Sequence, residues 1–249
     1  MKKFTDAEII QRAYDVYLIK NVMARHAYYH AYDMHEEEID EIWVSEPENK
    51  KTASFGQNWG YQVGLELIRE NYAVKNDLNR MKDLRALRTK HPEIEYESAN
   101  RATGSMLMHC LTTPYIEVAE DGETAQGMWY SPGQITFTKP DGVDAMYMFE
   151  LYGADFIKEG GQWKLWHLFI GTDFMHLPGV DMKTVPVDTP KFDLNDEDEA
   201  TNMVLTYEFE AYTSRYNWHH YPAIPKPYGT FSEAVSNGPE GNPNFGKEA

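Results

Sequence analysis

The sequence predicts an α+β fold in which a curved antiparallel sheet closes over helices. Up to about residue 90 the apolar residues recur at intervals of three and four positions, which is typical of helices. From residue 104 onward, segments rich in β-branched and aromatic residues alternate with turn sequences, which is typical of strands joined by hairpins. Because the helices come first and the strands follow one another, the strands pair with each other in a meander.

Three helices are predicted in the first part of the chain. Thr5 and Glu8 form a capping-box pattern, and the apolar residues after them predict a long helix from about residue 6 to about residue 33. The acidic sequence EEEIDEIWV favours a second, solvated helix, and the run SEPENKKTAS after it is typical of a surface loop. Residues 61–88 again show helical spacing, which ends before Pro92 because proline disfavours helix in the residue that precedes it.

Four antiparallel strands are predicted after the helices. They span residues 104–118, 124–137, 144–158 and 162–171. The sequences EDGE, KPDG and KEGGQ separate them, and all three have the composition of hairpin turns. Consecutive strands therefore lie side by side in the predicted sheet.

We divide the chain into a domain of residues 1–174 and an extended C-terminal arm of residues 175–249. The arm has prolines and acids without a period; residues 201–216 are apolar enough for one further element, with strand preferred over helix. The last dozen residues are expected to be disordered. Because the aromatic and proline-rich arm needs a surface to cover, we expect it to pack on the domain or on a neighbouring subunit of a homo-oligomer, either a dimer or a trimer.

The charge of the chain argues against several classes of partner. Forty acidic residues against 23 basic ones give a formal net charge of −17, which repels nucleic acid and anionic membranes. The single cysteine, Cys110, has no partner for an internal disulfide, and the N-terminal sequence MKKFTDAEIIQRAYD is charged where a signal peptide is apolar. No run approaches the roughly 18 apolar residues of a membrane span. We therefore expect a cytoplasmic protein with no nucleic-acid or membrane partner.

Several local sequences resemble the nuclear transport factor 2-like superfamily, in particular its SnoaL-like and scytalone dehydratase-like branches. They are AYDMHEEEIDEI, VGLELIRENY, EDGETAQGMWYSPG and YGADFIKEGGQWKLWHL, and the resemblance covers about residues 8–171. It implies a cone-shaped α+β barrel, in which the sheet wraps around the first helix and leaves one deep apolar pocket. Many members are cofactor-free dehydratases, cyclases, isomerases or lyases of polycyclic or aromatic substrates, whereas others only bind ligands or partners.

The resemblance also implies roles for individual residues. Tyr32 and Asp33 fall where the scytalone dehydratase branch keeps a tyrosine and an aspartate that hold the catalytic water, and His109 falls where that branch keeps its catalytic histidine. A second histidine of that branch would fall near Gln134 or Ile135, where this sequence has none. This departure puts the specific dehydration of scytalone in doubt, though not the pocket.

The residue pattern itself supports two histidines as proton carriers. His109 shares a strand face with Leu107 and Leu111, where it is either a hydrogen-bonded core residue or the catalytic acid and base. His167 is predicted to face the pocket because Lys164, three residues earlier, should face solvent on the other side of the strand. There it is either a structural histidine or a second candidate acid or base. Asp33 is either a buried carboxylate with a partner or a solvated end of the helix.

The remaining candidates are substrate-binding residues of the pocket wall. Tyr152 is predicted to polarise a substrate oxygen, and an arginine before the first strand could bind a carboxylate or phenolate. The substrate-binding set is His26, Tyr29, Arg101, Trp129, Tyr147, Glu150 and Phe169. An aromatic wall suits a flat ring, although a satisfied aromatic core has the same pattern.

We expect no metal or other cofactor and assign His35 to solvent. His26 and His30 share one helix face, but no cysteine or HExxH glutamate accompanies them. The predicted function is a cofactor-independent lyase of a cyclic or aromatic hydroxylated small molecule. The alternatives are an isomerase or cyclase of the same fold, and a non-enzymatic binder of an apolar small molecule.

Overall fold

The computed structural model describes residues 2–58, 60–93, 100–179 and 221–243. The helices are α1 Asp6–Ala31, α2 His35–Ile42, α3 Pro47–Thr52, α4 Leu65–Ile68 and α5 Asn76–Lys90, and a π-helical segment, Arg69–Lys75, joins the last two without a break. The strands are β1 Ser54–Gln57, β2 Gly60–Val63, β3 Ser105–His109, β4 Thr112–Val118, β5 Thr124–Lys139, β6 Gly142–Glu159 and β7 Gln162–His176. Two single-turn 3₁₀ helices, Phe231–Glu233 and Pro239–Gly241, follow near the C-terminus.

The strands form one mixed sheet in the order β2-β1-β7-β6-β5-β3, and β4 also pairs with β5. All pairs are antiparallel except β1 with β7, which is parallel. The long helix α1 packs against β3, β4 and β7. The predicted α+β class, with a curved sheet over a long N-terminal helix, is confirmed.

Helix α1 begins as predicted and carries one side of the core. Thr5 accepts a hydrogen bond from the Glu8 backbone N–H, while the Glu8 side chain accepts one from the Thr5 backbone, so the capping box is complete. Ile19 and Met23 point into the main core, where they are 0% and 1% exposed. Burial of such side chains stabilises the fold by roughly 1.5–3 kcal/mol each.

The predicted surface loop of residues 45–54 contains a short helix, α3. Pro47 suits the first helical position, because proline lacks the N–H that would have no partner there. Glu159, at the end of β6, accepts hydrogen bonds from the backbone N–H groups of Ser45 and Glu46 and from the side chain of Asn49. The prediction of a loop was wrong because the distant carboxylate caps the helix.

The predicted helix of residues 61–88 begins later than expected. Its first residues belong to strand β2, which pairs with β1, and Gly64 turns the chain into α4 at φ +96. The segment predicted as one strand, 104–118, is likewise divided into β3 and β4, with Cys110 and Leu111 between them. In the part of the chain that the structure describes, the sheet therefore has seven strands instead of four.

The described C-terminal segment, residues 221–243, packs on the outer face of the sheet. Tyr221 is buried against Phe169, and its hydroxyl receives a hydrogen bond from that of Tyr61. The expected disorder of the last dozen residues was wrong for 238–243, where Asn242 is buried. The element predicted at 201–216 lies outside the described residues, and the division into domain and arm stays a prediction. No helix in the described ranges is long and apolar enough to cross a membrane.

Candidate active site

The turn after α1 separates the predicted pair Tyr32 and Asp33. Tyr32 is the residue at which α1 ends; it is 58% exposed, and its ring stacks on Tyr28. Asp33 follows in the left-handed conformation, at φ +58, and is 5% exposed. Burial raises the pKa of Asp33 to about 6, although Arg80 acts in the opposite direction. Since Asp33 lies inside and Tyr32 outside, the two do not hold one water together as predicted.

Glu38 lies in the interior and contacts residues of several helical segments. Its fully buried carboxylate accepts hydrogen bonds from Trp43 Nε1 at 3.1 Å and from Tyr72 Oη at 2.8 Å. The ring of His26 contacts the same carboxylate, with 2.8 Å between Nδ1 and Oε1. Helix α2 is therefore not a solvated helix. His26 is predicted to bind substrate, but its ring is a hydrogen-bond partner of this carboxylate instead.

Two further histidines lie next to this carboxylate. His30 Nδ1 is 2.9 Å from His35 Nε2 and 3.3 Å from Tyr72 Oη. Burial lowers the pKa of His35 to about 4, and burial together with neighbouring histidines holds the pKa of His30 well below its usual range. Both imidazoles are therefore neutral at neutral pH. The assignment of His35 to solvent was wrong, since it is 1% exposed.

His109 forms a dyad with Glu150. The distance from His109 Nδ1 to Glu150 Oε2 is 2.9 Å, Tyr152 Oη lies 3.3 Å from the same nitrogen, and Thr172 donates to the second oxygen of Glu150. A carboxylate only accepts hydrogen bonds, so Nδ1 carries the proton and Nε2 carries the lone pair. Nε2 has no hydrogen-bond partner among the described residues. The ring centroid of His30 is 4.8 Å away.

A cleft of about 480 Å³ opens beside His109, between α1 and the strands β3 to β5. Trp129, a predicted wall residue, lines it together with Leu107 and Leu111. Its other side consists of Lys20, Met23, Ala24, Ala27, Tyr28 and Ala31. The three alanines follow the spacing of one helix face, so that α1 leaves room for a ligand there. The cleft is mainly apolar, and His109 contributes the imidazole in its lining.

Three other predicted residues do not join this group. The Tyr29 hydroxyl donates to Glu41 at the surface, at 2.6 Å. Tyr147 is 40% exposed and lies near the N-terminal end of β6. Arg101 is held in ion pairs with acidic side chains, Asp77 among them. None of the three lines the cleft.

His167 and Phe169 lie on the opposite face of the sheet from His109. Trp166 is an extra residue in β7, because the register between β6 and β7 shifts at that position. Such a bulge reverses which residues face the core. His167 Nδ1 is 2.8 Å from Asp155 Oδ2, and the Ser236 hydroxyl of the C-terminal segment donates to the same oxygen. The prediction that His167 and Phe169 face the pocket was therefore wrong.

Sequence reasoning missed four members of the buried group. His30 and Tyr72 were assigned to helices without a role, and Glu38 and His35 were placed in a solvated run. Glu38 lies four residues before Ile42, a spacing that puts the two side chains on one helix face. That spacing was the available signal.

Comparison with known proteins places the chain in a family. A SnoaL-like domain matches residues 11–168, which is more than half of the chain. A search of curated proteins finds no significant match.

The solved structures that resemble the chain have low sequence identity to it. A protein of unknown function from Mycobacterium tuberculosis is 16% identical over 78% of this chain and 86% of its own, with a TM-score of 0.45. An NTF2-like protein with a cystatin-like fold from Novosphingobium aromaticivorans is 14% identical over 72% and 94%, with a TM-score of 0.43. An NTF2-like superfamily protein from Salmonella enterica is 14% identical over 69% and 98%, with a TM-score of 0.46. On the domain match, the chain belongs to the SnoaL-like domain family.

Proposed function

We propose that this protein is a cofactor-independent lyase that removes water, or a small carbonyl fragment, from a cyclic or aromatic hydroxylated small molecule. The observation that carries the proposal is the His109–Glu150 dyad beside an apolar cleft. The volume of the cleft, about 480 Å³, falls within the roughly 300–1,000 Å³ of small-molecule pockets.

The dyad supports proton transfer through one nitrogen. Glu150 accepts from His109 Nδ1 and so leaves Nε2 as the base. In a dehydration, Nε2 takes the proton from the carbon beside the carbinol, the carbon–oxygen bond breaks, and a carbon–carbon double bond forms. The imidazolium then returns its proton to the departing hydroxyl, which leaves as water. Glu150 stabilises the imidazolium between the two steps, as a carboxylate does beside a catalytic histidine.

Tyr152 acts as a positioning residue in this mechanism. Its hydroxyl lies near His109 Nδ1, on the Glu150 side of the ring, and it is 1% exposed. Burial is the main cause that raises the pKa of Tyr152 well above its usual value, and the neighbouring Glu150 carboxylate raises it further. Tyr152 therefore stays a neutral hydrogen-bond donor. We give no catalytic role to Tyr32 or His167, because the first is exposed and the second lies across the sheet.

The test begins with a ligand. Hydroxylated aromatic and steroid-like compounds are screened for thermal stabilisation of the protein, and those that bind are incubated with it and analysed by mass spectrometry for loss of water or a carbonyl fragment. We expect His109→Ala to lower turnover at least about a hundredfold, the lower range for general acid–base catalysis, with the fold intact by circular dichroism. Glu150→Gln should lower turnover while leaving ligand binding in place. A fully active His109→Ala protein would rule out the mechanism.

A non-enzymatic binder is the second candidate, and the apolar lining of the cleft favours it. Apart from His109, the described wall offers Lys20, Tyr28 and Cys110 as its ionisable groups. A binder would be stabilised by the same compounds and leave them unchanged. An isomerase or cyclase would convert them into products of unchanged mass but different chromatographic retention, so the same incubation, analysed by liquid chromatography with mass spectrometry, separates all three functions.

A further inference from the structure

A second polar group includes His35 and lies on the side of that residue that faces away from His109. It consists of Asp33 in the turn after α1, His35 at the start of α2 and Asp77 in the first turn of α5. One possible ligand atom from each residue lies within 4.8 Å of the other two. Three separate elements therefore bring two carboxylates and an imidazole to one point.

Each of the three side chains has a polar atom that lacks a hydrogen-bond partner among the described residues. These atoms are Asp33 Oδ2, His35 Nδ1 and Asp77 Oδ1. Asp33 and His35 are 5% and 1% exposed, so solvent does not satisfy them. Buried polar atoms without partners are rare in folded proteins, because each costs the full free energy of its lost hydration. Three neighbouring side chains that each carry such an atom indicate a ligand that all three bind.

The charges around this point favour a cation. Asp77 and Glu37 are paired with Arg101, and Arg80 Nε approaches Asp33 Oδ2 to 3.8 Å. The three carboxylates exceed the two guanidinium groups by one negative charge.

The spacing also fits a metal ion. Asp33 Oδ1 and His35 Nδ1 are 3.3 Å apart. Two ligands on a first-row divalent ion, with bonds of about 2.0–2.2 Å, are separated by roughly 3–3.5 Å. One imidazole nitrogen with carboxylate oxygens is a donor set for zinc or a neighbouring transition metal, whereas magnesium and calcium take oxygen ligands.

We propose that Asp33, His35 and Asp77 bind one divalent transition-metal ion, with Zn²⁺ as the representative species. This site is separate from the His109–Glu150 dyad, and it stands whether or not the protein is a lyase. Its ligands are protein side chains on three elements, so the bound ion would tie the α1–α2 turn to α5.

The ion would also fix the protons of the buried histidines. Ligation through Nδ1 leaves the proton of neutral His35 on Nε2, which then donates to His30 Nδ1 at 2.9 Å. His30 in turn carries its own proton on Nε2. The metal would thus set one arrangement of protons in His35 and in His30, whose ring packs edge-on against that of His109.

The test is a titration of the full-length protein after chelator treatment. Co²⁺ is added while visible absorption is recorded, and Zn²⁺ is then added as a competitor and measured by calorimetry. We expect one ion per chain, and d–d bands of Co²⁺ that Zn²⁺ abolishes. Asp33→Asn, His35→Gln and Asp77→Asn should each weaken Zn²⁺ binding at least about tenfold.

A matched control separates a defined site from a diffuse acidic surface. Glu37→Gln removes the same charge beside Arg101 without removing one of the three proposed ligands, and we expect it to weaken Zn²⁺ binding much less than the ligand variants do. Circular dichroism checks that each variant folds. If His35→Gln does not fold because it loses its contact with His30, Asp77→Asn decides the outcome. The Asp77 side chain is 22% exposed, so its replacement disturbs the core less. The proposal is overturned if no ion binds with one-to-one stoichiometry, if the ligand variants bind like the parent, or if Glu37→Gln weakens binding as much as they do.

Discussion

Mutation of Glu38 tests whether its buried carboxylate holds the helices together. Replacing Glu38 with Ala removes the acceptor of hydrogen bonds from Trp43 and Tyr72 and the partner of His26. Each buried donor left without a partner costs about 1–3 kcal/mol. The Tyr72 hydroxyl lies 3.3 Å from His30 Nδ1 and can turn to it, so the three losses are not fully additive.

We therefore expect Glu38→Ala to lower the free energy of unfolding by about 3–5 kcal/mol, the range for breaking a buried polar pair. For a chain of this size, a loss of that order lowers the melting temperature by roughly 10 °C. The assay is urea denaturation followed by circular dichroism, together with a thermal scan. Glu38→Gln keeps the shape and one acceptor oxygen, so its loss should be smaller.

The matched control is Glu41→Ala, three residues further along α2. Glu41 contacts Arg25 and Tyr29, but its side chain is 50% exposed, and surface pairs of this kind contribute about 0–1 kcal/mol. If Glu38→Ala lost less than about 1 kcal/mol, or no more than Glu41→Ala, the reasoning would be refuted, because the carboxylate would not be the partner that those donors require.

Three further predictions concern the outer face of the sheet. Burial tends to raise the pKa of Glu159, but hydrogen bonds from Asn49 and Ser45 outweigh it and hold that pKa below its usual value. Their stabilisation is complete above the unfolded pKa and is lost as the pH falls through the folded one. Glu159→Ala should therefore cost about 1–3 kcal/mol at pH 7 and less once the pH falls below the folded pKa of Glu159; an equal loss at both, in urea titrations, would contradict this. Gly153→Val places a side chain against residues of the C-terminal segment, so limited proteolysis should cut that segment faster than in the parent; unchanged cleavage would show that the contact is unimportant. His167→Gln should lower the melting temperature and leave ligand conversion unchanged, and a hundredfold loss of conversion without unfolding would return His167 to the site.

The sequence predicted those features of the fold that depend on neighbouring residues. The capping box at Thr5 and Glu8 set the start of α1, and the turn sequences EDGE, KPDG and KEGGQ lie between the long strands as expected. These signals are local because a helix cap and a hairpin turn are each formed by residues within a few positions of one another. His109 and Glu150 were both among the predicted site residues, but their pairing was not predicted.

The short elements escaped prediction because distant residues stabilise them. Strand β1 pairs in parallel with β7, more than a hundred positions later, and α3 is capped by Glu159. A four-residue strand carries too little pattern of its own to be recognised. Its pairing partner decides whether it forms.

For this protein, the sequence by itself determined the α+β class, the long first helix, the family resemblance and the choice of His109. The tertiary structure alone decided that Glu38 is buried, that Asp33 and Tyr32 point apart, and that the extra residue Trp166 turns His167 to the outer face. The physical reason is that local propensity depends on adjacent residues. Burial, strand register and the partners of a charged side chain depend on segments that meet only in the folded chain.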